Sequence, residues 1–238
     1  VRNNKKDFYD LMAEQGKLDR VYTMTKKAII AGIPTIGASI DAILSSKQAE
    51  YKEKRTKELF YFLKAALDKV EKNKIDKEWA ESEAFYDLLR NAVESSTKSR
   101  SVEKIKMNAM ILSNVLTVEN NDNYRPEEYL AILSELTALE CKILLIVYDR
   151  FQAVQGENGN KIELSRKVGW KEAIIKQCGI DKDDLDFVMK RLERTGFIKE
   201  ITGGAILSYN GGEYYVTGTF EKFMGYLKLN PIAEEIFQ

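Results

Sequence analysis

The side chain that most often carries site chemistry is missing, because none of the 238 residues is a histidine. Without an imidazole there is no Ser-His-Asp or Cys-His relay, no His-ligated metal, and no side chain whose ordinary pKa lies near neutrality. The thiols that remain are Cys141 and Cys178, set in the helical, apolar runs LECKILLIV and AIIKQCGI. Their separation fits no thiolate metal motif, and both are expected to pack in the core of a cytosolic protein.

Two further groupings invite a chemical reading. Asp76, Glu78, Glu81 and Glu83 bring carboxylates together, but acidic residues in the first turn of a helix already answer its dipole, and no histidine completes a ligand set. Gly32-Ile33-Pro34-Thr35-Ile36-Gly37-Ala38-Ser39 has the outline of a phosphate-cradling loop. The lysine such a loop needs for the β- and γ-phosphates is replaced by Ala38, and no strand precedes it. No catalytic, cofactor-binding or metal-ligating residue is therefore assigned, no cofactor is expected, and the chain is read as non-enzymatic.

The elements that would position any site are mostly helices. Apolar residues make up 44% of the chain and charged residues 31%, with only three prolines, a composition of ordered, helix-rich protein. Residues 1–125 are expected to form an N-terminal helical bundle. Within it, 28–44 (AIIAGIPTIGASIDAIL) is the most apolar run, broken by Pro34 and three glycine or aspartate positions, and 17 residues fall short of the roughly 20 that span a bilayer. A buried, proline-broken helix is the first reading; a segment that enters membrane through Ile29, Ile30, Ile33 and Ile36 is the second. Because this run begins only at Ala28, with no cleavage signal, a cytoplasmic location is expected.

A long helix follows over 45–73, with Leu59, Leu63, Ala66 and Val70 on its apolar stripe, widened by Phe60 and Leu67. Asp76 and Ser82 are read as N-caps of two short helices, the second burying Phe85, Leu88, Leu89, Ala92 and Val93. Val102, Ile105, Ala109, Leu112 and Leu116 mark one face of another helix. Pro126, with Glu127 and Glu128, opens a helix over 126–136 that is expected to join the two domains.

The second domain is expected over 137–238. Thr137 and Glu140 form a capping box before the apolar run 143–148, and 161–164 alternates like a short strand. Residues 170–178 read as a short helix. Gly179 and Ile180 form a turn, Asp181 caps the next helix, and Gly196 ends it. Strands are expected at 197–201 and 214–216, around the turns 202–204 and 210–212.

That order, helix, strand, helix, helix, strand, wing, strand, resembles the winged-helix superfamily, and Leu136-Thr137-Ala138-Leu139-Glu140 with Val216-Thr217-Gly218-Thr219-Phe220-Glu221-Lys222-Phe223 looks like the paired motifs of many bacterial regulators. With the broken apolar run and bundle in front, the whole chain loosely resembles bacterial proteins of the Abi-alpha type, associated with abortive phage resistance. The implied fold class is mainly α: an N-terminal helical bundle, then a winged-helix domain with a small antiparallel β-sheet.

Whether such a domain binds DNA is a question of charge. The chain carries 37 basic and 37 acidic residues, and neither half is a basic module: 1–137 holds 23 basic and 22 acidic side chains. Asp181, Asp183, Asp184 and Asp186 crowd the turns a recognition helix would aim at base edges, and 202–213 has no lysine or arginine. Lys167, Lys171, Lys176, Lys190, Arg191 and Arg194 are the candidate phosphate contacts. The balance favours a regulatory or interaction protein whose domain meets a protein partner or a second copy, with DNA binding as the alternative and membrane perturbation through 28–44 as the third reading.

Overall fold

The structure is a computed structural model that describes residues 49–71, 74–117, 124–158, 169–200, 212 and 214–230. Among them the chain is mainly helical, with one two-stranded antiparallel sheet. The described residues fall into two compact units divided between Ser134 and Glu135, with Leu229 and Asn230 belonging to the first. The run 28–44, the strand expected at 161–164, Lys167, and nearly all of 201–213 lie outside the described residues.

In the first unit, α1 (Ala49–Asp68) packs on α4 (Val102–Thr117) and on α3 (Glu83–Lys98). The short α2 (Lys77–Ala80) precedes α3, and α5 (Pro126–Glu135) follows α4. Local caps start these helices as the sequence leads one to expect. The Asp76 carboxylate accepts from Trp79 N at 2.8 Å, and Ser82 Oγ accepts from Phe85 N at 3.1 Å, each satisfying one of the unpaired first-turn amides. Helix α3 then buries Phe85, Leu88, Leu89, Ala92 and Val93.

Helix α4 differs from the one-faced helix expected. Met107, Met110, Ile111 and Val115 fill its other sides, so that every residue from Met107 to Leu116 is buried, while Val102 is 43% exposed. A helix buried all round must find most partners for its polar side chains inside, although the buried Asn108 Oδ1 has none. Asn108 Nδ2 donates to Ser95 Oγ at 3.2 Å and Ser96 Oγ at 3.0 Å, and Lys104 Nζ reaches the Ser134 carbonyl at 3.0 Å. The Asn230 amide donates to Ser113 Oγ at 3.0 Å and Asn114 Oδ1 at 2.9 Å.

The second unit contains α6 (Ala138–Asn158), α7 (Trp170–Cys178), α8 (Lys182–Glu193), β1 (Ile198–Glu200), β2 (Tyr214–Val216) and α9 (Gly218–Lys228). The capping box at the head of α6 is closed in both directions: Thr137 N donates to Glu140 Oε2 at 2.6 Å, and Glu140 N to Thr137 Oγ1 at 3.2 Å. The strands pair with Ile198 opposite Val216 and Glu200 opposite Tyr214. Phe197 stacks on Phe223 at 4.9 Å and lies 5.4 Å from Phe220, seating α9 on the end of the sheet. Thr217 Oγ1 donates to the Gly196 carbonyl at 2.6 Å and accepts from Phe220 N at 3.3 Å, so one hydroxyl joins the turn after α8 to the start of α9.

Among the described residues no helix is long and apolar enough to cross a membrane.

Candidate functional site

Helix α8 divides its two faces clearly. Leu185, Val188, Met189 and Leu192 are buried, at spacings of three and four that hold the helix against α7 and β1. Asp181 caps it, accepting from Asp184 N at 2.8 Å, and Gly196 at φ +75° turns the chain into β1. The outward face carries Lys182, Asp183, Asp184, Phe187, Lys190 and Arg194. Phe187 is 62% exposed, the large apolar side chain that the second unit leaves most open among the described residues, while Tyr51 at 72% and Tyr61 at 68% are more exposed on α1.

Three of the cations expected to contact phosphates are turned to internal carboxylates. Arg191 reaches Glu140, a carboxylate only 2% exposed. Its Nε lies 3.0 Å from Oε1 without aligning its N–H, and its Nη2 donates to Oε2 at 3.4 Å. The guanidinium also lies over the Phe187 ring, 5.9 Å from its centroid. Lys190 donates to Glu200 on β1 and approaches Glu193 at 3.5 Å. Lys171 lies 3.8 Å from Asp186 Oδ1, an ionic contact to a buried oxygen that has no hydrogen bond, and 5.6 Å over the Trp170 ring.

Glu200 is the centre of the second of these contacts. Gly212 N donates to its Oε1 at 2.7 Å, and this amide together with Lys190 holds the carboxyl below the ordinary glutamate range. The Glu200 amide in turn donates to Glu193 Oε1 at 3.0 Å. Lys190 is raised above its usual value chiefly by the bond to Glu200. Tyr214, whose phenol burial pushes up to about 12, sits edge-on to Trp170 at 6.3 Å.

Lys176 and Arg194 are exposed, and neither has a carboxylate partner among the described residues. Lys167, the remaining one of the six, lies outside the described residues. Asp181, Asp183 and Asp184 are exposed at the head of α8, and Asp186 is partly buried.

Compared with protein-family models, curated proteins and solved structures, the chain matches none.

The remaining chemical candidates are scattered. Asp76, Glu78, Glu81 and Glu83 are all exposed, and no group of three or more metal-ligating side chains occurs among the described residues. Cys141 is buried in α6. Cys178 is half-buried at the end of α7, with its thiol pushed up by burial. In the first unit a 290 Å³ groove between α3 and α5 is lined by Ser95, Leu130 and Ser134, with Glu94 and Lys98 paired at 2.6 Å beside it.

Reading the sequence of α8 by its charges alone passes over Phe187. Its position two residues beyond Leu185, off the stripe of Leu185, Val188, Met189 and Leu192, is the signal the sequence offers.

Proposed function

We propose that residues 137–238 form a winged-helix module used for protein contact, and that the outward face of α8 is the surface that makes it. The order α6, α7, α8, β1, β2 supports the first part, with α8 in the place of a recognition helix. The observation that carries the second is Phe187: an aromatic ring 62% exposed at the middle of α8, flanked by Asp183 and Asp184 on one side and by Lys190 and Arg191 on the other. Exposed aromatics of this kind anchor protein interfaces, whereas a DNA groove is met by Arg, Lys, Asn and Gln. Three aspartates at the head of the helix would face phosphates of the same sign.

In this reading the protein is a non-enzymatic regulatory or interaction protein of the bacterial cytoplasm. The loose Abi-alpha resemblance of the whole chain makes phage defence its setting. Incorporating a photo-cross-linking phenylalanine analogue at 187 and irradiating producing cells tests the surface. Adducts that contain protein are expected, and adducts to nucleic acid would overturn the reading. The exposed Lys176 and Arg194 are the observation favouring DNA binding as the second reading.

A further inference from the structure

We infer that the partner met by this face is a second copy of the chain, bound through an antiparallel α8–α8 pair with Phe187 on the two-fold axis. The inference rests on the reading of α8 as a protein-contact face and goes further by naming the occupant. Helix α8 runs Lys182–Glu193, so Phe187 stands at its midpoint, with five residues before it and six after. Around the ring the signs of charge are divided about that midpoint: Asp183 and Asp184 precede it, and Lys190, the half-exposed Arg191 and Arg194 follow it, while the exposed Lys182 also precedes it but stands about 140° round the helix.

A two-fold axis through Phe187 sets each turn opposite the one equally far along the other helix. Residues seven apart share a flank of the helix, so Asp183 meets Lys190 of the other copy and Asp184 meets Arg191, each pairing occurring twice, while the two rings meet at the centre. A parallel pair would instead place aspartate against aspartate and arginine against arginine, and like charges at close quarters are repulsive. The antiparallel arrangement is the one in which this surface is complementary to itself.

The internal contacts of the two cations do not prevent it. The Arg191 side chain is 34% exposed and has five N–H donors, of which Glu140 engages one edge. The Lys190 side chain is 55% exposed, and an ammonium has three donors. Glu140 and Glu200 hold these two side chains in place from behind, which lowers the conformational entropy lost when a second copy binds. A helix of 12 residues is about 18 Å long, too short to bury a large interface by itself. The pairing is therefore at the weak end of specific association, with a Kd on the order of micromolar to tens of micromolar.

Sedimentation of the purified full-length chain over a range of concentrations, with Phe187→Asp in parallel, tests the pairing. A concentration-dependent monomer–dimer equilibrium is expected, weakened by salt, and weakened about tenfold or more by Phe187→Asp. Because the Phe187 side chain is mostly exposed, the variant should keep the unfolding midpoint of the parent. The register is read independently by mild oxidation of Phe187→Cys and Asp183→Cys, each with Cys178→Ser. Phe187→Cys should form the intermolecular disulfide readily and Asp183→Cys poorly, since residues at 183 are about 12 Å apart along the axis.

A chain that stays monomeric throughout, or a dimer indifferent to Phe187→Asp, overturns the inference. So does intermolecular disulfide formation by Asp183→Cys as ready as that by Phe187→Cys. If the chain is monomeric while position 187 still cross-links to a different protein in cells, the self-pairing falls and protein contact by α8 stands. Nucleic-acid adducts at 187 would bring down both.

Discussion

Arg191 on α8 reaches back to Glu140 in the first turn of α6, its Nε 3.0 Å from a carboxylate oxygen that is almost wholly removed from water. Glu140 simultaneously accepts the Thr137 amide, so a single carboxylate caps one helix and anchors the middle of another. Removing it strips α6 of half its capping box and leaves Arg191 without its counter-charge. Glu140→Ala is expected to cost about 1–3 kcal/mol in urea unfolding, from the lost capping bond and the lost ion pair, since the Arg191 guanidinium, its side chain 34% exposed, can turn to water. Arg191→Met should cost as much or more, because it leaves a carboxylate only 3% exposed without its counter-charge. The double variant should fall short of the sum by about 1 kcal/mol or more. Simple additivity would mean that the two groups act separately.

Glu200 predicts a pH dependence whose sign follows from its neighbours. Its folded pKa lies below the ordinary value of 4.5, held down by the Gly212 amide and then by Lys190. A depressed carboxylate contributes stability that is present above its unfolded pKa and is lost as pH falls through the folded one. Glu200→Gln should therefore lower stability at neutral pH and flatten the decline below pH 4.5, as followed by thermal unfolding from well below pH 4.5 up to neutral pH. An acid limb unchanged by the substitution would show that the carboxylate gains nothing from these contacts.

Asn230 offers a test far from α8 in sequence. Its amide donates to Ser113 Oγ at 3.0 Å, to Asn114 Oδ1 at 2.9 Å and to the Met110 carbonyl at 3.3 Å, all at a position 3% exposed. Asn230→Leu withdraws the donor and leaves acceptors in an apolar setting, at a cost of about 1–3 kcal/mol. Asn230→Asp should be worse than Asn230→Leu, because a carboxylate would face the oxygens of Asn114 and Met110. The urea midpoints of the three proteins give the order.

Two glycines should respond to alanine with opposite signs. Gly196 has open space where a Cβ would sit but holds φ +75°, a conformation L-residues resist, so Gly196→Ala is expected to destabilise by about 1 kcal/mol. Gly225 lies within α9 with nothing within 4 Å of the place an alanine Cβ would take, so there alanine gains helix propensity and should stabilise by about 0.5–1 kcal/mol. Differential scanning calorimetry of both variants reads the two signs.

What could be read from the chain and what could not divides by distance along it. The caps at Asp76, Ser82, Thr137–Glu140 and Asp181 each join groups three residues apart, and the bonds they form are set by local backbone geometry. The stripes of α3 and α8, the short helix Trp170–Cys178 and the strand Tyr214–Val216 are equally local. The contacts that engage the cations of α8 are not: Arg191 is 51 residues from Glu140, and Lys190 ten from Glu200, separations that carry no periodic signal. On α4 the mixture of apolar and small polar residues conceals all-round burial, since the partners of Asn108 and Ser113 lie elsewhere in the chain. The basic residues named as phosphate contacts are identified in the sequence by type alone, and type does not say which carboxylate lies opposite.

That α8 meets protein rather than a DNA groove is tested most directly by titrating the full chain into a fluorescent, mixed-sequence duplex at about 50 mM salt and following anisotropy. No saturable binding is predicted up to about 100 μM protein, the weak limit of non-specific association. Saturable micromolar binding that weakens with salt, and that falls further in Lys176→Glu or Arg194→Glu, would contradict it.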